Sequence, residues 1–523
     1  MHEIVTLQFG QQANYLGTHF WNTQEAYFTY AADEEESPID HDIHFRSGIA
    51  ADGSDTFTPR TLIYDLKGAF GTLRRGNALY GLDSTADARE QSLWNGQPTL
   101  LAQPALPPNQ YQQHLDAGLE PPSLTTASAR FWSDYNRVFY HPRSIVQLSE
   151  YELNSSLMPF ERWETGEELF RNLDREHDLL DRDLRPWLEE CDQLAAVQVF
   201  AGADDAWGGF CARYVERIRD ELGKGAIWVW GCEDGARRTR EKQRLQLVNT
   251  AYSLHQISSA ASMYIPLTNI PSASPPYLSV DTASAWHTSA LQATALETAT
   301  LPSRLRTDRS SPDDLEALLC NDGTRRIASL SLSIADPLAL QQQTETDQRA
   351  QPRDRRTNGY TNGFGHTNGA DTPDRETLDI DLHPRDSNLA GESRRLGSKA
   401  HIFDCADTLR GRWKADGEVA RANLDARDRF AEGTRMRITH TSLLLPLPTS
   451  FPPIFAFRPD RVAVRTRLAT SSAVAARVRS VERDVRGLVS VDVREELCDG
   501  LVGVAEGYEE GWEGVAGSSG EEE

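Results

Sequence analysis

The sequence predicts an α/β fold in which a parallel sheet carries helices on both faces and a smaller α+β domain follows. A short apolar run at residues 4–9 stops at Gly10 and leads into residues with helical spacing. Two further β-rich runs, at residues 194–200 and 226–230, alternate with helical patterns, which is typical of a parallel sheet. The length of 523 residues exceeds the roughly 250 to 300 residues at which a single core stops growing, so a second domain is expected.

The first predicted unit is a strand, a glycine turn and a helix. Residues 4–9 are too few and too rich in β-formers for a helix, whereas residues 13–21 carry apolar side chains at helical spacing. The turn at Gly10 directs unpaired backbone N–H groups and the positive end of the helix dipole to one spot, which suits an anion such as phosphate. The same unit is common in α/β sheets in general, so it does not establish a site by itself.

The next segments combine a second strand with an irregular region. Residues 61–66, TLIYDL, predict a short buried strand. Residues 81–127 are rich in Pro, Gln, Ala and Ser and predict a surface insertion. The aromatic run at residues 131–140 is expected to pack against the sheet, with an exposed platform for a partner as the alternative.

Helical periodicity is clearest at residues 163–194, where apolar side chains recur every three or four positions. Pro186 is expected to kink this helix or to begin a second segment. A strand at residues 194–200, a helix at 210–222 and a strand at 226–230 follow. This order of elements places the chain among proteins with a parallel α/β sheet.

Two resemblances to known families follow from these motifs. Residues 1–17, MHEIVTLQFGQQANYLG, resemble the amino terminus of tubulins. The chain as a whole resembles the Misato/DML1 family of fungal and animal tubulin-related proteins, through separate stretches at residues 131–148, 197–210 and 254–257.

The family resemblance implies a domain organisation and a role in the cell. It implies a tubulin/FtsZ-like, Rossmann-type first domain over residues 1–260, and a second tubulin-like domain over residues 261–335 and 399–500. It also implies a function in mitochondrial distribution and in the inheritance of mitochondrial DNA.

The resemblance further carries the nucleotide contacts of tubulins onto seven positions of this chain. In tubulins a glycine-rich loop, GGGTGSG, wraps the phosphates with its backbone amides, and the corresponding residues 203–209 here read ADDAWGG. The acidic positions near the ribose of tubulins fall on Lys242 and Gln246. A vestigial nucleotide site is therefore expected at Gly10, Gln11, Gln12, Asp65, Gly208, Gly209 and Asn249.

The two aspartates of the 203–209 loop are expected to disfavour a triphosphate. At about 5 Å, each carboxylate repels a phosphate charge by roughly 3 kcal/mol at an effective dielectric near 20. One charge-assisted hydrogen bond returns only about 1.5 to 3 kcal/mol, and Trp207 also takes up space in the loop. A cation that bridged Asp204 and Asp205 would reverse this expectation, although adjacent aspartates in a turn are more often a solvated cap.

No catalytic residue and no metal site are predicted. The G-x-x-N-x-D loop that tubulins use in hydrolysis has its nearest counterpart at residues 318–323, where the leading glycine is missing. His255 is expected to be a packed core residue. The sequence therefore favours a non-enzymatic protein without a bound cofactor. The alternatives are weak GTP binding or slow GTP hydrolysis, and a tubulin-associated or chaperonin-associated assembly factor.

Composition argues against several classes of function. With 54 Lys and Arg against 78 Asp and Glu, the net charge of -24 argues against direct nucleic-acid binding and against adsorption to anionic lipid. Six scattered cysteines without metal-ligand spacing predict reduced thiols and no zinc site. The sequence shows no run of eighteen apolar residues and no presequence. The family resemblance implies the mitochondrion as the site of action, and without a visible presequence we expect the protein on its cytosolic face and in the cytoplasm.

Two carboxyl-terminal segments are too polar to bury a core. Residues 336–398, with repeated Thr-Asn-Gly, predict a disordered insertion, and residues 505–523 predict an acidic tail. Tyr508 and Trp512 leave a partner-binding segment open within that tail. Protein partners are expected, with tubulin, chaperonin and mitochondrial surface proteins as the candidates.

Overall fold

The first of the two large sheets among the described residues is a parallel sheet of six strands. The computed structural model describes residues 2–29, 36–49, 53, 55–74, 79, 106–236, 238–320, 323–335, 378–384, 400–411, 435–457 and 460–509. The first sheet contains β1 (Glu3–Phe9), β4 (Thr61–Lys67), β5 (Ile145–Glu152), β6 (Leu194–Gly202), β7 (Ala226–Glu233) and β8 (Met263–Thr268), in the order β5-β4-β1-β6-β7-β8. A separate hairpin joins β2 (Phe45–Ile49) to β3 (Asp55–Pro59).

The strand order positions the candidate site. The chain leaves β1 in both directions along the sheet, because β4 pairs on one side of β1 and β6 pairs on the other. In open parallel sheets, such a reversal opens a crevice outside the carboxyl ends of the two strands, and ligands bind there. The turn at Gly10 follows β1, and the 203–205 segment follows β6, so both border this crevice.

Helices cover both faces of the first sheet, as predicted. One face packs with the helices at residues 11–25 and 285–300, through a core that includes Phe20, Trp230 and Trp286. The other face packs with the helices at residues 163–177, 206–222 and 240–260, through a core that includes Val199 and Phe210. The described helices are α1 (Gln11–Glu25), α2 (Gln110–Asp116), α3 (Trp163–His177), α4 (Arg185–Glu189), α5 (Ala206–Leu222), α6 (Arg240–Ala260), α7 (Ala285–Thr300), α8 (Pro312–Leu319), α9 (Ala473–Val485) and α10 (Val491–Glu506).

The second sheet is mixed, which confirms the smaller α+β part of the predicted fold. Its strands run in the order β10-β9-β14-β11-β12, with β13 also paired to β14. All its pairs are antiparallel except that of β11 with β12. The strands are β9 (Ser329–Ala335), β10 (Ile380–Asp381), β11 (Ile402–Arg410), β12 (Arg435–Thr441), β13 (Leu445–Pro446) and β14 (Arg461–Ser471).

The structure moves the predicted domain boundary at residue 260. Strand β8, at Met263–Thr268, pairs in parallel with β7 and is fully buried, so the first sheet ends at Thr268. The six apolar or small residues of β8 complete the edge of this sheet. Within the predicted insertion at residues 336–398, residues 378–384 are ordered. Ile380 is fully buried in the core and pairs with Leu332 of β9. The rest of that insertion lies outside the described residues.

The surface insertion predicted at residues 81–127 is also partly regular. Helix α2 is N-capped by the side chain of Asn109, which accepts from the backbone N–H of Tyr111. The ring of Tyr111 is fully buried, and its hydroxyl is 3.0 Å from Oγ1 of Thr449. The buried ring of Tyr111 therefore anchors a segment that was predicted to be irregular from its composition. Residues 81–105 lie outside the described part of the chain.

The long helix predicted at residues 163–194 is two segments. Helix α3 ends at His177 because Asp178 takes a left-handed conformation with φ of 46°, and a single π-helical turn, Leu180–Leu184, follows. Pro186 lies in the first turn of α4, where its missing N–H needs no helical partner. The prediction that Pro186 begins a second segment is thus confirmed, and the break precedes it.

The aromatic run and the acidic tail have different outcomes. Trp132, Tyr135 and Tyr140 are buried, as predicted, although Phe139 is 45% exposed. Tyr508 is not an exposed docking residue, because it is fully buried and its hydroxyl donates to the carbonyl of Ile327 at 2.8 Å. Residues 510–523, with Trp512, lie outside the described chain. Among the described residues, no helix is long and apolar enough to cross a membrane.

A buried charge network joins α7, which packs on the first sheet, to the second sheet. Glu297 on α7 is 1% exposed, and its carboxylate accepts from Arg304 at 2.7 Å and from Tyr27 at 2.9 Å. Arg410, the last residue of β11, forms an ion pair with the other oxygen of the same carboxylate. Both guanidinium groups are fully buried, so the carboxylate of Glu297 pairs with two cations away from water.

Candidate functional site

The turn after β1 is closed by an indole ring. Gly10 has a φ of +87°, which only glycine adopts readily, and a Cβ atom placed on it would lie 2.4 Å from the ring of Trp207. Trp207 is 4% exposed and packs edge-on against Phe160 and Phe210, with ring centroids 5.2 and 5.6 Å apart. The indole of Trp207 therefore fills the space on one side of the Gly10 turn.

Asp65 and Gln11 are held together in the wall of the crevice. Asp65 is fully buried, and its Oδ2 accepts from Gln11 at 3.0 Å, from Asn14 at 2.7 Å and from the indole of Trp132 at 3.2 Å. Burial raises the pKa of Asp65 to about 6, although these hydrogen bonds oppose the shift. The carboxylate is thus committed to protein donors. Asn14 and Trp132 were not predicted from the sequence as partners of Asp65. Asn14 lies one helical turn after Gly10, and this spacing is the signal that could have indicated it.

The carboxylates after β6 have different environments. Asp204 is 6% exposed, and its Oδ2 accepts from the backbone N–H of Asp234 at 2.9 Å and from Gln246 at 3.1 Å. Burial, and then the charge of Asp205, raise the pKa of Asp204 well above its usual value. Asp205 caps α5 by accepting from the N–H of Trp207 at 2.9 Å. The cap predicted as the common alternative is therefore present at Asp205.

The carboxylates do not gather into an evident cation site. No group of three or more His, Cys, Asp or Glu side chains that could hold a metal ion occurs within the described ranges. Gln246, one of the two positions matched to the ribose acceptors of tubulins, donates to Asp204. Lys242, the other, forms a surface ion pair with Glu161 at 3.0 Å. Both positions therefore have partners within the chain.

Gly208 and Gly209 lie where two helices meet. A Cβ atom on Gly209 would lie 2.0 Å from the backbone oxygen of Trp163 in α3, and one on Gly208 would lie 2.4 Å from Oγ of Ser253 in α6. Gly166 of α3 is equally close to the backbone of Ala206, at 1.6 Å. The absence of side chains here lets α3 and α5 approach closely, which is a packing role that spacing in the sequence did not indicate.

Asn249 uses its whole amide to hold neighbouring segments. It is 1% exposed, and its Nδ2 donates to the carbonyls of Glu161 at 2.8 Å and Asp204 at 3.0 Å. Its Oδ1 accepts from the N–H of Trp163 at 3.0 Å. Ser253, one turn further along α6, donates to the carbonyl of Ala203 at 2.7 Å. These groups fix the 203–205 segment and the start of α3.

Replacing Asn249 tests this positioning role. Asn249→Ala is expected to lower the free energy of unfolding by about 2 to 3 kcal/mol, because buried partners lose their hydrogen bonds. Urea denaturation measures the change. Lys242→Ala, on the same helix but exposed, is the control and is expected to change stability little. An equal loss for both variants would contradict the positioning role.

The pH dependence of stability tests the environment of Asp205. Burial raises the pKa of Asp205 to about 7, above the value of about 3.8 expected for an unfolded chain. The folded state then holds this proton more tightly than the unfolded state, so stability falls as the pH rises from about 4 through 7. Asp205→Asn keeps a good N-cap and removes this titration. We expect a smaller fall in melting temperature between pH 5 and pH 8 in the variant, and an unchanged fall would contradict the assignment.

Gln12 and His255 lie in two different parts of the structure. Within the described residues, the buried side-chain oxygen of Gln12 has no hydrogen-bond partner, and this residue lines a cavity of about 320 Å³ beside α1 and α7. His255 lies on α6, and a Cβ atom on Gly500 of α10 would be 2.2 Å from its Nε2. Burial lowers the pKa of His255. Its packing against α10 agrees with a structural residue at the edge of the core.

Taken together, the crevice unites four of the seven predicted positions. Trp207 of the 203–209 segment packs against Gly10, and the side chain of Asn249 donates to the carbonyl of Asp204 in the same segment. Gln11 and Asp65 bond to each other in the adjoining wall. The two glycines, 208 and 209, lie behind the crevice in a helix crossing. The arrangement is that of a nucleotide-type crevice whose interior is occupied by its own side chains.

Comparison with known proteins agrees with a tubulin-like fold. Residues 2–117 match the family model of the Misato Segment II tubulin-like domain, and residues 121–305 match that of a tubulin domain. A Protein DML1 of Phaeosphaeria nodorum is 47% identical over 525 residues, which cover 98% of both chains. A Protein dml1 of Aspergillus clavatus is 45% identical over 520 residues with the same coverage. A Protein DML1 of Yarrowia lipolytica is 33% identical over 347 residues, 63% of this chain and 71% of its own. This chain therefore belongs to the Misato/DML1 family of tubulin-related proteins, in its fungal branch.

Proposed function

We propose that this protein is a non-enzymatic, tubulin-related factor that acts in mitochondrial distribution and in the partitioning of mitochondrial DNA. The observation that supports the non-enzymatic part is the indole of Trp207 packed against Gly10. The organelle comes from the resemblance to the family. The protein acts from the cytosolic face of the mitochondrion and in the cytoplasm.

The energetics of the crevice support a protein without bound GTP. A triphosphate would have to displace Trp207, which is 4% exposed, and re-exposing a large buried side chain costs about 1.5 to 3 kcal/mol. It would also approach the carboxyl groups of Asp204 and Asp205, which repel phosphate once the pH exceeds their raised pKa values. Asn249 and Asp65 offer little return, because their polar atoms already bond to the protein. Binding of a triphosphate would therefore break more favourable contacts within the protein than it would form.

A factor without catalysis acts through protein partners. Tubulin, chaperonin and mitochondrial surface proteins are the candidate partners, and the net charge of -24 favours partners with basic surfaces over nucleic acid. Pull-downs with the full chain and with a chain that lacks residues 510–523 test this part. Absence of all three classes of protein from both samples would count against it.

A depletion experiment tests the cellular role. In fungal cells depleted of this protein, we expect mitochondria to be unevenly distributed and some daughter cells to lack mitochondrial DNA. Quantitative imaging of mitochondria together with measurement of mitochondrial DNA copy number gives the readout, and re-expression of the full chain is the control. Normal distribution and copy number after complete depletion would overturn the proposal.

A further inference from the structure

The second sheet ends at β12, and the outer edge of this strand is open in the described part of the chain. β12 pairs in parallel with β11 on one side, and no other described strand pairs with it. Four of its seven residues are exposed, and one of these is Ile438. An open strand edge presents a row of backbone N–H and C=O groups that can pair with a further strand. β12 therefore offers a template for one more extended segment.

The side chains of this edge are basic on one face and apolar on the other. Because successive side chains of a strand point to opposite faces, Arg435 and Arg437 share one face, and Met436 and Ile438 share the other. Arg435 is paired with Asp404 at 2.9 Å, whereas the exposed Arg437 has no ion pair within the described residues. β12 contains no Asp or Glu. The edge thus presents an unpaired cation next to an exposed apolar side chain, in a protein whose net charge is -24.

The other edge strands of the two large sheets are less suited to an acidic segment. β5, at one edge of the first sheet, carries Glu150 and Glu152 and contains no Lys or Arg. Like charges on neighbouring strands are destabilising, so this edge would repel an acidic segment. β8, at the other edge of the first sheet, is fully buried, and β10 has only two residues. Among the described edges, β12 therefore combines the required length, exposure and charge.

The chain itself brings an acidic segment close to β12. Tyr508 is fully buried, and its ring centroid lies 6.4 Å from that of Phe403 in β11. Asp404, the next residue of β11, is in register with Arg435 at the start of β12. The fourteen residues 510–523 follow, and five of them are glutamates. Fully extended, they would span about 45 to 50 Å, whereas neighbouring strands are only about 5 Å apart. The tail is therefore long enough to run along the whole of β12.

We propose that the acidic tail, residues 510–523, docks along the outer edge of β12, with Glu513 beside Arg437 and Trp512 against Ile438. Trp512 and Glu513 are consecutive, so in an extended segment they point to opposite faces. Arg437 and Ile438 are divided between the two faces of β12 in the same way. Backbone hydrogen bonds along the open edge hold the segment, and the two side-chain contacts set its register. The docked tail covers an edge that would otherwise be free to pair with another chain.

Hydrogen–deuterium exchange of the full chain and of a chain that ends at Glu509 tests the docking. The shorter chain keeps the hydrogen bond of Tyr508 to Ile327 and the ion pair of Glu509 with Arg479. We expect the backbone amides of residues 435–441 to exchange at least tenfold faster in the shorter chain. Residues 145–152, at the edge of the first sheet, are the internal control and are expected to exchange equally in both chains. Equal exchange of residues 435–441 in the two chains would overturn the proposal.

Charge reversal tests the pairing of Glu513 with Arg437. Glu513→Arg and Arg437→Glu are each expected to speed the exchange of residues 435–441 at least threefold, because each places like charges side by side. The double variant restores an opposite pair and is expected to return the slow exchange of the full chain. Glu513→Arg alters no described residue, so it keeps the test decisive if Arg437→Glu misfolds. Unchanged exchange in Glu513→Arg would show that this carboxylate does not hold the tail on β12.

A dilution series distinguishes the chain's own tail from the tail of a second copy. Docking within one chain is intramolecular, so the slow exchange of residues 435–441 is expected to be unchanged over roughly a fiftyfold dilution. Exchange that becomes faster on dilution would assign the occupant of the edge to a second copy and would overturn the proposal.

Discussion

Glu297→Gln is expected to lower the free energy of unfolding by about 3 to 5 kcal/mol, because it removes the buried carboxylate that Arg304 and Arg410 share. The substitution keeps the shape of the side chain, so the loss reports charge and not packing. Burial alone would raise the pKa of Glu297, but the guanidinium groups of Arg410 and Arg304 outweigh it and hold that pKa below its usual value. The stabilisation is therefore present at neutral pH and is lost as the pH falls below the range in which an unfolded Glu ionises.

Urea denaturation at pH 7 measures this effect, with Glu221→Gln as the control. Glu221 pairs with Arg185 at the surface, where ion pairs contribute little to stability. We expect no resolvable change for the control. Because Arg410 lies in β11 and Glu297 in α7, the loss in Glu297→Gln also reports how strongly the second sheet is held to α7. A loss below about 1 kcal/mol would show that the buried network is not an important link between them.

Gly209→Ala is expected to destabilise the fold by about 3 kcal/mol, at the upper end of the range for overpacking. The added Cβ atom would lie 2.0 Å from a backbone oxygen of α3, which cannot move without shifting the whole helix. Helices α3 and α5 would have to separate, and the buried contact of Phe170 with Phe210 would loosen. If Gly209 were instead a remnant of a phosphate loop with space in front of it, the same substitution would be nearly neutral.

A glycine in a different helix provides the control for Gly209→Ala. Gly503 of α10 is exposed, and a Cβ atom added to it would meet nothing within 4 Å, so Gly503→Ala is expected to raise stability by roughly 0.5 to 1 kcal/mol through helix propensity. The two glycine-to-alanine substitutions change the stability in opposite directions only if local packing decides the result. Thermal unfolding monitored by circular dichroism is sufficient to distinguish them.

The parallel sheet could be predicted from sequence because its signals are local. Each central strand is a short apolar run between breakers, as at residues 3–9 and 194–202, and buried parallel strands give such runs directly. Strand β10 could not be predicted in the same way, since it is only two residues long and its surroundings are polar. Its order comes from the pairing of Ile380 with β9, a tertiary contact.

The candidate site could be located from sequence but not interpreted in full. The motif ADDAWGG showed that the loop had changed, and its position after β6 followed from the alternation of elements. The contact of Trp207 with Gly10 joins residues almost two hundred positions apart, and no periodicity reports it. For the same reason, sequence could not show that Asn249 supports the loop or that Glu297 pairs with Arg410.

The nucleotide content of the purified full chain tests most directly whether the crevice is closed to GTP. The protein is purified without added nucleotide, denatured, and the released nucleotides are separated by chromatography. The same measurement on a chain with Trp207→Gly, Asp204→Gly and Asp205→Gly shows whether opening the crevice restores binding. We expect far less than one nucleotide per native chain and no release of phosphate from added GTP. A stoichiometric amount of GTP or GDP in the native protein, with the crevice residues unchanged, would contradict a closed crevice.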